Sequence, residues 1–213
     1  HKAMPKSNSG KSIFSRRFLF GASIGSALIF IILGATFSGA FIWSLESTNS
    51  EAFCISCHEM KDNVYEEYTN TIHFSNRTGV RATCADCHVP KELNHKIIRK
   101  IHATNELVHK ILGTIDTPEK YEAKRHQLAQ NVWKNMEKSN SRECRNCHDL
   151  KQMDTTKQKP HAAKQHALAL SSDKTCIDCH KGIAHKLSEQ FMEIEHEQYI
   201  ESGDDCSQCH LDM

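Results

Sequence analysis

Phe53-Cys54-Ile55-Ser56-Cys57-His58-Glu59-Met60 contains a C-x-x-C-H unit, and this unit decides how the rest of the chain is read. It recurs as Cys84-Ala-Asp-Cys87-His88, Cys144-Arg-Asn-Cys147-His148, Cys176-Ile-Asp-Cys179-His180 and Cys206-Ser-Gln-Cys209-His210. All ten cysteines of the 213-residue chain fall in these five units, so none remains for a disulfide or a free thiol. Two thiols three residues apart can reach the two vinyl groups of one porphyrin. The next residue offers an imidazole to the iron from the same side. C-x-x-C-H is accordingly the attachment signature of c-type haem. Zinc is the alternative for C-x-x-C pairs, but a closed zinc site needs four ligands, usually from two pairs. Five units do not pair off, and zinc gives no reason for a histidine after every second cysteine. Five covalently bound haems c are therefore expected.

Composition agrees. Aromatic residues make up 7 % of the chain and charged residues 25 %, with 15 histidines. A small polar domain buries a limited share of its surface, so porphyrins are expected to fill the interior. The expected fold is mainly α: a multihaem cytochrome c with one N-terminal transmembrane helix and a compact helical haem domain with little or no sheet.

Outward from the haem units, the N-terminus has two zones. Residues 1–17 carry Lys2, Lys6, Lys11, Arg16 and Arg17 and no acid, whereas Phe18 to Trp43 is free of charge. As a helix the second stretch spans ~39 Å, more than the ~30 Å hydrocarbon layer. A cleaved signal peptide has a shorter apolar core. Ser15-Arg16-Arg17-Phe18-Leu19 resembles a twin-arginine export signal, but that route carries folded cargo and haem is attached after export. The stretch thus reads as an uncleaved single-pass anchor in the inner membrane. Its basic flank is cytoplasmic by the positive-inside rule and the haem domain periplasmic. Gly21 and Gly25 form a G-x-x-x-G that suits a homo-oligomer. Five of the 27 basic residues and none of the 26 acids precede Trp43, leaving 22 against 26 in the remainder. Haem propionates add further negative charge, so nucleic acid is excluded as a partner.

First cysteines at 54, 84, 144, 176 and 206 describe a repeat of about thirty residues with one unit lacking a haem. The gap, residues 89–143, is expected to hold a long helix capped by Thr117 with Pro118 at its first position. Tyr121, Leu128, Val132 and Met136 supply a packing stripe along it. Domain boundaries are expected at 1–17, 18–43, 44–186 and 187–213, the last carrying the fifth haem. His73 lies 11 residues before Cys84, His166 lies 10 before Cys176, and His196 lies 10 before Cys206. A recurring upstream histidine is what a second axial ligand looks like, because a haem built for electron transfer fills both axial positions. His185 is a fourth candidate. His161 competes with His196 for haem five, and His95, His102, His109 and His126 lack the pattern.

At these residues the chain resembles the NapC/NirT family of membrane-anchored tetrahaem quinol dehydrogenases. The resemblance covers the anchor through His185. Beyond the stretch Phe53 to Met60, it rests on Gly79 to Pro90, Ile115-Asp116-Thr117-Pro118, Glu143 to His148 and Thr175 to Lys186. It implies Met60 rather than the motif histidine on haem one. The motif histidines His88, His148, His180 and His210 are expected on the other haems, with His73, His166 and His185 in distal positions. It also implies a quinol site with Lys100 and Glu106 as its catalytic residues. Quinol is then the substrate, and a periplasmic terminal reductase or soluble cytochrome the acceptor. The chain departs from the family by running on through Leu187–Ile200 to a fifth motif. Other readings are a passive anchored wire, a haem-based reductase of a small oxyanion, and a structural subunit of a larger respiratory complex.

Overall fold

The computed structural model describes residues 24–203. The basic segment 1–17, Gly21, and the fifth unit with Cys206, Cys209 and His210 lie outside the described residues. The chain divides into two compact units, His1–Glu46 and Ser47–Met213. In the first, helix α1 runs Ile24–Ser47, four residues past the uncharged stretch, with mean hydropathy 2.1. Up to Trp43 its side chains are mostly apolar and exposed all round, as Phe30, Ile31, Phe37 and Trp43 illustrate, and Leu45 near its end is buried. A helix apolar on every face belongs in a core or in lipid. At ~36 Å it is long enough for the latter. Among the described residues, α1 alone is long and apolar enough to cross a membrane.

The second unit is helical, and no strand occurs among the described residues. Ser50 starts α2 (Glu51–Cys54), its hydroxyl accepting the Phe53 N–H at 3.3 Å. A π-helical turn over Met60–Tyr65 leads into α3 (Glu66–Thr69). Next come α4 (Cys84–His88), α5 (Leu93–Ile111) and α6 (Pro118–Lys138). After these follow α7 (Arg142–Arg145), α8 (Pro160–Ala169), α9 (Cys176–Cys179) and α10 (Gln190–Ser202), closed by Gly203 in the left-handed region.

Several haem-bearing turns owe their form to local chemistry. In α4 and α9 the sequence is Thr-Cys-x-Asp-Cys, and each makes a capping box. The Thr83 N–H donates to Asp86 at 2.8 Å, and the Thr175 N–H to Asp178 at 2.5 Å. The aspartate between the cysteines thus nucleates the single turn that sets both sulfurs on one side. Unit three is entered through Asn140 and Ser141, both at positive φ (52° and 48°). Ser141 is fully buried, and its hydroxyl accepts the Ile177 N–H of unit four at 3.1 Å. One serine therefore ties two haem units together.

Thr117 caps α6 and Pro118 begins it, as the sequence leads one to expect. The inward stripe differs from the expected one: Tyr121, Arg125 and Trp133 are buried, whereas Leu128 is exposed. A buried arginine moves the register because its partners lie elsewhere in the unit. Trp133 receives Phe191 of α10 edge-on at 5.7 Å, and Lys181 hydrogen-bonds Tyr199 at 3.2 Å, so α10 belongs to the same body. Among the described residues of this unit, the buried hydrophobics are only Tyr68, Tyr121, Trp133 and Ile177. That side-chain core is small for an independently folded unit.

Candidate functional site

Four of the five C-x-x-C-H units are described, and none of their eight cysteines is joined in a disulfide. The Cys54 and Cys84 side chains face each other, bringing units one and two together. α4 packs against α2 and α7, and α9 against α6, so the units cluster along the chain's interior.

The histidines fall into pairs. His73 and His148 have ring centroids 6.3 Å apart, with planes at 82°. His88 and His185 are 6.2 Å apart with planes at 27°, and His166 and His180 are 6.0 Å apart with planes at 30°. A metal–imidazole bond is about 2 Å. Two imidazoles on opposite sides of one metal therefore have centroids roughly 6 Å apart. Each pair joins one motif histidine to one of the three histidines expected in distal positions. Burial pushes His88 down to about 4 and also lowers His185, against the opposing charge of Glu67. Both rings are neutral at physiological pH, the state in which imidazole donates to a metal. His73 Nδ1 is buried with no hydrogen-bond partner. The His166 Nδ1 sits 2.7 Å from Gln158 Oε1, which directs Nε2 the other way. Cysteine pairs, facing imidazoles and a small side-chain core all fit haem c.

Unit one is different. The His58 side chain is 61 % exposed, its Nε2 lying 3.3 Å from Glu59 Oε1. Met60, next but one, lines a cavity with Cys54, His73, Cys84, His88 and His185. Glu59 is only 6 % exposed and accepts Lys110 Nζ at 2.6 and 2.9 Å. Those bonds from α5 anchor Glu59 between His58, which is exposed, and Met60, which is itself 41 % exposed but borders that cavity. Sequence reading passed over Glu59 and Lys110, since nothing links two charges 51 positions apart before the chain is folded.

Lys100 Nζ donates to the Thr48 hydroxyl at 2.8 Å and its carbonyl at 3.1 Å. Glu106 is paired with Arg99 at 2.9 Å, and Arg99 also reaches the His88 carbonyl at 3.3 Å. His196 lies in α10.

The distal clamp was also illegible in sequence. Arg125 and Glu67 are 8 % and 10 % exposed and share a bidentate ion pair at 2.7 and 3.0 Å. Arg125 donates to the Lys186 carbonyl at 3.1 Å, and the Lys186 N–H donates to Glu67 at 2.9 Å. The backbone just after His185 is thereby held at both its polar groups.

Repeated haem-attachment turns and facing histidines in an all-helical body define a multihaem c-type cytochrome. The profile of the NapC/NirT cytochrome c family, N-terminal region, matches residues 20–190. The "Denitrification system component NirT" of Stutzerimonas stutzeri is 58 % identical over 172 residues, covering 80 % of this chain and 86 % of the relative. "Cytochrome c-type protein NapC" of Escherichia coli K12 is 57 % identical over 160 residues, 75 % of this chain and 80 % of the relative. A "Putative tetraheme cytochrome-c type" protein of Allochromatium vinosum is 48 % identical over 170 residues, 77 % and 92 % of the two chains. No solved structure gives a significant match. The chain belongs to the NapC/NirT cytochrome c family, carries covalently bound haem c, and has an N-terminal helix that fits a single-pass anchor.

Proposed function

We propose that this protein oxidises membrane quinol at the periplasmic face and passes the electrons to a periplasmic terminal reductase or soluble cytochrome. The single observation that carries the electron-transfer reading is the set of three histidine pairs at 6.0–6.3 Å. Each pair would hold one haem iron between two strong ligands, which suits electron transfer over binding of small molecules. The haems supply one-electron relay centres; the chain supplies ligands, spacing and exclusion of water. His88 serves with His185, His148 with His73, and His180 with His166. Met60 takes the place of His58 in unit one. Cys206, Cys209 and His210 hold a fifth haem, with His196 or His161 opposite. A relative named as a denitrification system component supports a respiratory acceptor.

The quinol reading is supported by Lys100. Its ammonium is bonded to Thr48, one residue beyond α1. A headgroup arriving there from the bilayer meets a cation that favours the developing quinolate oxygen. Glu106, 63 % exposed, accepts the proton and releases it to water. Lys100→Ala is expected to slow haem reduction by a menaquinol or ubiquinol analogue by about 10²-fold, followed by stopped-flow absorbance in detergent. Dithionite should still reduce every haem. If no quinol reduces the parent protein while dithionite does, the protein is a passive wire.

The unit-one assignment has its own test. Met60→Ala is expected to change the ferric near-infrared magnetic circular dichroism by one methionine-ligated haem, whereas His58→Ala leaves it unchanged. The reverse pattern would put His58 on the iron.

A further inference from the structure

Of the three histidines that face a motif histidine, His166 is the one whose ring is held by a side chain. Its Nδ1 lies 2.7 Å from Gln158 Oε1, in a partly buried position. No side chain among the described residues accepts a hydrogen bond from Nδ1 of His73 or His185, although both atoms are buried. The segment around Gln158 is built to make this contact. Asp154 starts a 3-10 turn over Thr155–Lys157, its carboxylate accepting the Thr156 N–H at 3.1 Å. Gln158 closes the turn, its N–H donating to the Thr155 carbonyl at 3.2 Å. Pro160 then begins α8, where its missing N–H costs nothing, and the 3-10 turn packs on that helix. His166 stands on the second turn of α8. Side chains on a helix lean toward its N-terminus, so the ring reaches back to a residue eight positions earlier.

We propose that Gln158 is a positioning residue that acts through His166 to lower the reduction potential of the haem in unit four. An imidazole that gives its Nε2 lone pair to iron carries its proton on Nδ1. An acceptor at Nδ1–H fixes that tautomer and the ring orientation, and makes the ring more basic. A more basic axial ligand favours ferric over ferrous iron, and hydrogen bonding of this kind is one of the means by which a protein sets haem potential. His73 and His185 have no such side-chain acceptor, so the effect falls on one of the three paired sites. An electron at that site is held less tightly than it would be without Gln158, and is passed on more readily. The inference rests on the assignment of His166 and His180 to one iron, proposed above, and not on the quinol chemistry.

The test is a redox titration of the full-length, haem-loaded protein, followed by absorbance and electron paramagnetic resonance. Gln158→Leu keeps much of the side chain's bulk and removes the acceptor. At a fixed potential it should raise the ferrous-to-ferric ratio of one haem about tenfold, about 59 mV for a one-electron couple. Covalent haem content should be unchanged and every haem that is low spin in the parent should stay so. Gln158→Glu offers a stronger acceptor and should move the same haem the other way. A merely structural role would not give opposite signs, because loosening His166 moves both variants alike. His166→Ala is run beside them and should turn that one haem high spin. If it does so while both Gln158 variants titrate like the parent, or shift in the same direction, the proposal is overturned and the ligand assignment stands. If His166→Ala leaves the spin state of every haem unchanged, the assignment and the proposal fall together.

Discussion

Replacing Arg125 by alanine is expected to destabilise the haem unit by about 3–5 kcal/mol, the cost of stranding a buried charge by removing its partner. Glu67 would remain, 10 % exposed, without the bidentate guanidinium that now neutralises it. Burial alone would raise the Glu67 pKa, but the bonds from Arg125 and the Lys186 N–H outweigh it and hold the carboxyl below its ordinary value. The sign of the pH effect follows. A carboxylate with a depressed folded pKa contributes stability that is complete above its unfolded value of about 4.3. That contribution is lost as the pH falls through the lowered value. The parent protein should therefore show an acid limb in stability below about pH 4.3, and Arg125→Ala should lose much of it. Chemical denaturation across pH 3–7, read by circular dichroism, measures both. Glu67→Gln with Arg125 intact is the companion variant. It keeps the shape and the hydrogen bond from Lys186, and should cost less.

His185→Ala is expected to convert one haem, and only one, from six-coordinate low spin to high spin. His185 is the one imidazole facing His88, at 6.2 Å, and its loss leaves that iron with a single protein ligand. Electron paramagnetic resonance of the ferric protein should gain a high-spin signal equal to one haem, with covalent haem content unchanged. His126→Ala is the control. That ring is hydrogen-bonded to Ser188 at 3.0 Å and packs on Trp133, so the spin state should not move. Unchanged spectra in His185→Ala would remove His185 from the ligand set.

The attachment turns were legible because their chemistry is local. Cysteines three apart and the histidine that follows act within one turn. The α6 start at Thr117-Pro118 and the apolar α1 were legible for the same reason. The upstream histidines pointed to a second ring for each haem, but their spacing did not fix the pairing. His166 does face the motif that follows it. His73, 11 residues before Cys84, faces His148 of unit three instead, and His185, just after unit four, faces His88 of unit two. Register along a repeat reports local geometry, whereas pairing depends on how the whole chain wraps. The ion pairs Glu59–Lys110 and Glu67–Arg125 stayed hidden on the same ground, and so did the Ser141 bridge to Ile177. In each case the partner is set by tertiary approach and leaves no periodic trace.

Haem as the material of this protein's interior is tested most directly by the intact mass of the purified full-length chain. Polypeptide plus five haems, with no thiol open to alkylation, is the expected result. Fewer than five haems, or free thiols in any of the five units at Cys54, Cys84, Cys144, Cys176 or Cys206, would contradict it.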